Sequence, residues 1–377
     1  MIYFDNAATS YPKPPCVYQE MENALINYGG NPGRGSYPLA HKAAKYLYES
    51  RSIISRFLGA AKPAQIIFTL NATEAANTVL RGYLRKGEEV VYFSTEHNAN
   101  FRPLKALELK GIKLTKVKVW DDDEKTISGL LRALTPKTRL IVACYGSNVS
   151  GKILPLAKII EAAHCYGAAV YSDMAQTAGF LPLELTALGV DFAAFAGHKS
   201  LLGPPGTGLL YVKDEGLLEP LKTGGTGSNS QSPYQPKNYP DALESGSLNL
   251  PGIGGLAAGI NYLQEYGEEK VFKHEAGLTR EFMKNLKFLK NVEVYGPEAE
   301  ELRLPVVSLN VRGKTPEEVS EILYREGEIA VRAGLHCAPE AHRTLGTFPT
   351  GTVRFSFGLF NTMSQVNTAL DVLSAIR

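Results

Sequence analysis

Three short segments constrain this chain more than any other feature: Leu140–Tyr145, Ala168–Tyr171 and Phe192–Phe195 are almost wholly apolar. A strand with one wet face alternates apolar and polar residues, whereas a strand covered on both faces has no polar side. The runs therefore read as strands of a parallel sheet with helices on both faces. The surrounding sequence agrees. Leu39, Ala43, Leu47, Ile54 and Leu58 recur at helical spacing and stop at Gly59. Gln65–Thr69 reads as a strand, Ala72–Lys86 as a helix closed by Gly87, Val90–Phe93 as a strand and Asn100–Lys110 as a helix.

From Thr223 to Leu250 the composition turns to Gly, Ser, Asn, Pro and Tyr without periodicity. Irregular loops of that length are uncommon unless they serve a function. Beyond it come expected helices at Gly254–Glu265 and Glu268–Leu289, and strands at Val306–Val311, Ile329–Arg332 and Val353–Phe357. A helix over Thr315–Glu326 and a last one from near Ser364 complete a second, smaller α/β unit. A chain of 377 residues has room for both.

Charge and cysteine usage narrow the function classes. Forty Lys and Arg against 38 Asp and Glu leave a formal charge of +2, which argues against nucleic acid as a main partner. Lys113, Lys116 and Lys118 are followed at once by Asp121, Asp122, Asp123 and Glu124, a solvated edge. No apolar run approaches the roughly 18–20 residues of a membrane span, and the start lacks a signal-peptide layout. A cytoplasmic protein without a membrane partner is expected. The four cysteines show no C-x-x-C pair, so neither a zinc ribbon nor a disulfide framework is expected, and no metal. Cys144 and Cys165 fall on or beside the expected framework and read as small buried apolar residues; Cys16 carries no assignment.

Nucleotide motifs fail on inspection. Gly197-His198-Lys199-Ser200 lacks the upstream glycine of a P-loop, since Phe192 stands there. Gly252–Ala257 matches a loose G-x-G-x-x-A pattern, but no buried strand precedes it. A different pairing is stronger. One expected strand delivers Asp173 and the next delivers His198-Lys199, followed by Gly203-Pro204-Pro205-Gly206-Thr207-Gly208. Ligands of open parallel sheets sit beyond the strands' C-terminal ends. A carboxylate that keeps a pyridine nitrogen protonated, beside a lysine that forms a Schiff base, is the pair that pyridoxal phosphate requires. Asn71-Ala72-Thr73-Glu74 opens a helix after a strand, so its backbone N–H groups and the Thr73 hydroxyl suit a phosphate. Thr73 read alone is a helix cap. His97 and Asn148 follow two further strands toward the same crevice.

Together these segments resemble the class V pyridoxal-phosphate aminotransferase-fold enzymes, specifically the NifS-like cysteine desulfurases and selenocysteine lyases. The carriers are Tyr3–Thr9, Asn71–Glu74, Thr95-Glu96-His97, Ser172–Gln176, Gly197–Lys199 with its glycine-rich tail, Glu244–Ser247 and Arg332–Ala338. They run in the family's order over essentially the whole chain. The resemblance implies the fold type I architecture: a large domain (15–253) with a mainly parallel seven-stranded sheet, and a small domain built from 1–14 and 254–377.

The resemblance also implies roles. Lys199 is the Schiff-base lysine and the base for the substrate's Cα proton; Asp173 pairs the pyridinium nitrogen. Gln176 and Asn148 contact the ring's phenolic side, and His97 stacks on the ring and assists proton transfer. Ala72, Thr73 and His198 hold the phosphate, joined by Ser247 from the other subunit of a homodimer. Arg354 grips the substrate carboxylate as a bidentate fork, with Arg332 and Asn148 beside it. Ala196 replaces a phosphate-binding Ser of many relatives, and Ser247 the usual Thr. Cys337 lies in Arg332-x-Gly334-x-His336-Cys337, where Arg and His favour thiolate. It is implied to take sulfur or selenium from L-cysteine or L-selenocysteine as a persulfide, releasing L-alanine, and to pass it to an acceptor protein. Iron–sulfur cluster assembly, transfer-RNA thiolation and a molybdenum-cofactor route are all open. The short spacing from Cys337 to Arg354 resembles the Suf-type group II, whose cysteine loop is compact. The alternative is another class V enzyme, an aminotransferase or β-eliminating lyase, in which Cys337 is incidental.

Overall fold

A computed structural model describes residues 1–33 and 35–376. Its centre is a seven-stranded sheet of β2 (Ile66–Thr69), β3 (Glu89–Phe93), β4 (Lys113–Val117), β5 (Thr138–Cys144), β6 (Ala169–Asp173), β7 (Phe192–Ala196) and β8 (Gly208–Val212). The preceding short strand, Ile2–Tyr3, is β1. The order across the sheet is β2-β8-β7-β6-β5-β3-β4. Strand β8 is antiparallel to both neighbours and every other pairing is parallel. All strands except β8 thus point one way, and their C-terminal ends form one rim.

The apolar runs explain the layering. Val91 and Phe93, Ile141 and Ala143, and Ala193 and Phe195 pack into one buried cluster. Their alternates Val90 and Tyr92, Leu140 and Val142, and Phe192 and Ala194 pack into another. Each strand feeds both covers, as a doubly covered parallel sheet demands.

A four-stranded sheet follows in the C-terminal part, ordered β12 (Arg332–Gly334), β13 (Thr352–Ser356), β10 (Val306–Val311) and β9 (Val292–Tyr295). The expected strand over Ile329–Arg332 is two strands. Its first half, β11 (Ile329–Ala330), pairs in parallel with β1, and its second belongs to the four-stranded sheet. One apolar cluster joins Phe4 to Phe282, Leu323, Phe355 and Leu373, so the N-terminal segment packs with the C-terminal part.

Several boundaries differ from the sequence expectation. The helix from Ala72 ends at Tyr83, and Gly87 instead serves a turn at φ +92° whose N–H donates to Gly111 O. The next helix begins at Asn98 because His97 caps it. The helix expected from Gly254 starts at Leu250, so Gly252–Ala257 is helical. A Cβ on Gly255 would stand 2.7 Å from Met21 Cγ. Glycine there lets this helix lie close to the helix Pro15–Asn27, which outweighs its weak helix propensity. Cys144 is buried, but Cys165 is exposed at the end of the helix Leu156–Cys165, contrary to its reading as a core residue. No helix among the described residues is long and apolar enough to cross a membrane.

Candidate active site

Five strands deliver polar groups to the shared rim. Beyond β2 stand Asn71, Ala72 and Thr73; beyond β3, His97; beyond β5, Asn148; at the tip of β6, Asp173; beyond β7, His198 and Lys199. One cleft is lined by Ala72, Thr73, His97, Asn148, Asp173, Gln176, His198 and Lys199, and also by Arg332, Cys337 and Arg354. These are all the sequence-predicted site residues except one. Ser247 lines two other depressions, away from the cleft of its own chain. Ala196 lines the cleft at the position where many relatives carry Ser.

Asp173 is buried and fixed on both oxygens. Its Oδ1 accepts from Ala175 N at 3.0 Å, and its Oδ2 from Asn100 Nδ2 at 3.2 Å. Asn100 also donates to Glu96 Oε2 at 2.7 Å and accepts from the Tyr171 hydroxyl at 3.0 Å, while Glu96 Oε1 accepts from Cys144 N at 2.7 Å. Burial pushes the Glu96 carboxyl up to about 8, because removing it from water disfavours its charged form. No sequence motif assigns a role to Glu96 or points to Asn100. The one signal was their spacing of four across a helix start.

Lys199 has no hydrogen-bonding or ionic partner for its Nζ among the described residues. Burial lowers its proton affinity, and Arg354 and Arg332 lower it further against the pull of Asp173. The N-terminal segment pins its backbone: Ser10 Oγ donates to Lys199 O at 2.8 Å, and Lys13 Nζ to His198 O at 2.7 Å. His97 is pulled down to about 4 by burial and by the charge of Lys199, so its ring is neutral at ordinary pH. Its Nδ1 accepts from Ala99 N at 3.0 Å, which assigns the remaining proton to Nε2. His198 is likewise held down near 4 by burial.

Asn71 Oδ1 accepts from Glu74 N at 2.9 Å and caps the helix Ala72–Tyr83. The first two N–H groups, of Ala72 and Thr73, stay outside the helical ladder. Gln176 Nε2 donates to Ala7 O at 2.9 Å, tying the N-terminal segment to the cleft.

Cys337 sits between β12 and the helix Pro339–Leu345, and its side chain is exposed. His336 and Cys337 both adopt positive φ, +49° and +57°. Non-glycine residues adopt that conformation only when their surroundings hold them there. Three bonds do so: Ala338 N donates to Leu335 O at 2.9 Å, Asn98 N to Cys337 O at 2.7 Å, and Asn148 Nδ2 to His336 O at 2.8 Å. Asn148 Oδ1 remains buried without a partner. His336 does not supply the positive charge that its place beside Cys337 suggested. Burial, then Arg354, drives its ring down to about 2, and Nε2 pairs with Thr352 Oγ1 at 3.1 Å. Lys199, Arg332 and Arg354 line the same cleft as the thiol. Arg354 is almost wholly buried; its Nη1 donates to Asn148 O at 3.1 Å and its Nη2 to Asp5 Oδ1 at 2.8 Å.

A family model described as aminotransferase class-V matches residues 2–368. A probable cysteine desulfurase of Methanothermobacter thermautotrophicus is 34% identical over 381 residues, covering 100% of this chain and 94% of that protein. Among solved structures, the apo cysteine desulfurase of Thermococcus onnurineus NA1 superposes with a TM-score of 0.92 at 34% identity, covering 99% of this chain and 94% of that one. The cysteine desulfurase CsdA of Escherichia coli, in an S-sulfonic acid form, gives 0.88 at 28% identity over 98% and 93% of the two chains.

Proposed function

The chain belongs to the aminotransferase class-V family, and within it we propose a pyridoxal-phosphate-dependent cysteine desulfurase that acts on L-cysteine or L-selenocysteine. The observation that carries this reading is one cleft holding an unpartnered lysine, a doubly anchored carboxylate and an exposed cysteine. The donor set suits pyridoxal phosphate: Asn148 Oδ1 is a buried acceptor lacking a donor, and Asp173 stands ready to accept from a ring N–H. Asp173, Gln176, Asn148 and His97 would hold the ring, and Ala72, Thr73 and His198 the phosphate. When bound, the cofactor supplies an electron sink that stabilises negative charge at the substrate's Cα.

The chain's own residues do the rest. The depressed proton affinity of Lys199 makes a free amine available, both as nucleophile and as the base for the Cα proton. His97, neutral and with its proton on Nε2, presents a fixed donor. Arg354 and Arg332 orient the substrate carboxylate, with Asn148 beside them. The Cys337 thiolate attacks the substrate sulfur: an S–S bond forms, the Cβ–S bond breaks, and its electron pair stays with carbon. Cβ takes one proton, Cα regains the one that Lys199 removed, and the product leaves as L-alanine, while Cys337 keeps the persulfide.

Ser247 would contact the phosphate held by a second copy, making the enzyme a homodimer. Support comes from its place outside its own cleft, in a depression also lined by Tyr28, Tyr37 and Tyr48. The packing of Phe4 among C-terminal residues supports a small domain that takes in 1–14, but the helix Leu250–Tyr266 crosses the expected 253/254 boundary and packs into the large-sheet cluster through Leu256, Ile260 and Leu263. The short, pinned Cys337 loop supports the compact-loop group, and with it delivery to an acceptor protein. A cytoplasmic setting would keep that thiol reduced.

The deciding experiment traps the persulfide after reaction with L-cysteine and locates it by mass spectrometry. Sulfur on Cys337 with one L-alanine formed is the expected result. Cys337→Ala should abolish L-alanine formation from L-cysteine, while L-selenocysteine, whose selenium leaves more readily, should still be turned over. Undiminished cysteine turnover by that variant would make Cys337 incidental.

A further inference from the structure

Asn100 is wholly buried, and its one amide nitrogen donates to two carboxyl groups: Asp173 Oδ2 at 3.2 Å and Glu96 Oε2 at 2.7 Å. The amide carries two N–H groups, so these bonds use both. Its Oδ1 accepts from the Tyr171 hydroxyl at 3.0 Å, and that bond sets which way the amide faces. Turned over, the amide would present its oxygen to both carboxyl groups. Glu96, also wholly buried, is fixed in turn. Strand β5 pairs with β3 only as far as Val142, and Glu96 Oε1 takes the N–H of Cys144 at 2.7 Å. None of these side-chain oxygens and nitrogens is left without a partner. The helix that carries Asn100, Asn98–Glu108, does not need this side chain to begin, because the His97 ring already caps it.

We propose that Asn100, braced by Glu96 and Tyr171, is a positioning residue that holds the Asp173 carboxylate in the orientation that meets the cofactor's ring nitrogen. A carboxylate turns freely about its last side-chain bond unless both oxygens are held. Ala175 N holds Oδ1 at 3.0 Å and Asn100 holds Oδ2, and each oxygen keeps a lone pair for one further donor. A neutral amide suits this post. A lysine or arginine there would offset the negative charge that keeps the ring nitrogen protonated, and an acid would repel Asp173. The amide fixes Asp173 without cancelling its charge. Glu96 supplies the far anchor, and its carboxyl, pushed up to about 8 by burial, adds little charge of its own at neutral pH. The role rests on the assignment of Asp173 to the ring nitrogen.

The test measures how the cofactor-free protein binds pyridoxal phosphate and its deaza analogue, whose ring carries C–H in place of nitrogen. Fluorescence titration gives both dissociation constants for wild type, Asn100→Ala, Tyr171→Phe and Asp173→Ala. The analogue cannot use Asp173, so the ratio of the two constants isolates the contact that Asn100 serves. Wild type should prefer pyridoxal phosphate, and Asp173→Ala should erase the preference. Asn100→Ala should lower it by about tenfold, as expected for losing a hydrogen bond to a charged group. Tyr171→Phe, which keeps the ring packed and only frees the amide to turn, should lower it less in the same direction. An unchanged ratio in Asn100→Ala, or in Tyr171→Phe where that variant alone folds, would overturn the assignment. Equal weakening of both ligands leaves the ratio unchanged and counts the same way, because a merely structural loss does not distinguish nitrogen from carbon. Wild type that binds both ligands alike would defeat the ring-nitrogen role of Asp173, and this proposal with it. None of these readouts depends on L-cysteine turnover, so failure of the desulfurase reading would leave the result standing.

Discussion

Asn148 Nδ2 donates to the carbonyl of His336, 188 positions away, at 2.8 Å. One side chain thereby joins the rim of the large sheet to the loop that carries Cys337. Asn148→Ala leaves a buried carbonyl unpaired, at a cost of about 1–3 kcal/mol, and releases one of the three bonds that hold His336 and Cys337 at positive φ. Persulfide formation should slow by about tenfold, the equivalent of about 1.4 kcal/mol in the barrier. Rapid-quench labelling of Cys337 measures it.

Lys199→Ala should abolish both turnover and the visible absorbance of bound cofactor. The cofactor-free variant should melt no lower than wild type, since Lys199 Nζ forms no bond whose loss is felt and burial of its charge is unfavourable. Calorimetry on the two apo proteins checks this.

Arg51 and Glu244 form a buried ion pair at 2.6 Å, and Glu244 Oε1 also accepts from Phe68 N at 2.6 Å. This pair anchors the irregular segment ahead of Ser247. Glu244→Ala strands a buried guanidinium and should lower unfolding free energy by about 3–5 kcal/mol. Replacing both partners with Met and Leu should cost much less. Urea denaturation of the cofactor-free protein separates the outcomes.

Stability should peak near pH 6.5. His97, His198 and His342 titrate at about 4 in the fold against 6.5 when unfolded. His336 is driven lower still, also by burial first. Between those values the unfolded chain binds more protons, so stability falls as pH drops below 6.5. Glu96 and Glu275 act oppositely: burial raises both to about 8 from 4.5, so the folded state binds more protons and loses stability as pH rises toward 8. Melting temperatures across pH 4–9 should trace this dome, and Glu275→Gln should flatten its alkaline side.

The doubly covered sheet was legible because its cause is local. Leu140–Tyr145 and Phe192–Phe195 have no polar face, and no other placement hides both sides of such strands. Asp173 and Lys199 were legible for the same reason, as residues that end or follow those strands. Strands such as Lys113–Val117, whose burial runs from exposed to buried, carry no such signature and were passed over. Cys165 was misjudged because an apolar helix pattern does not say which end reaches solvent.

The sequence alone determined the strand and helix periods, the order of the motifs and the chemistry available at each strand end, all properties of a few consecutive residues. Tertiary structure decided which of those groups meet. Asp5 reaches Arg354 across 349 positions, Asn148 holds the Cys337 loop, Ser247 lies outside its own cleft, and burial strips His336 of its charge. Those outcomes depend on distances between remote strands and on how much water remains around each group. Neither quantity exists until the chain has packed.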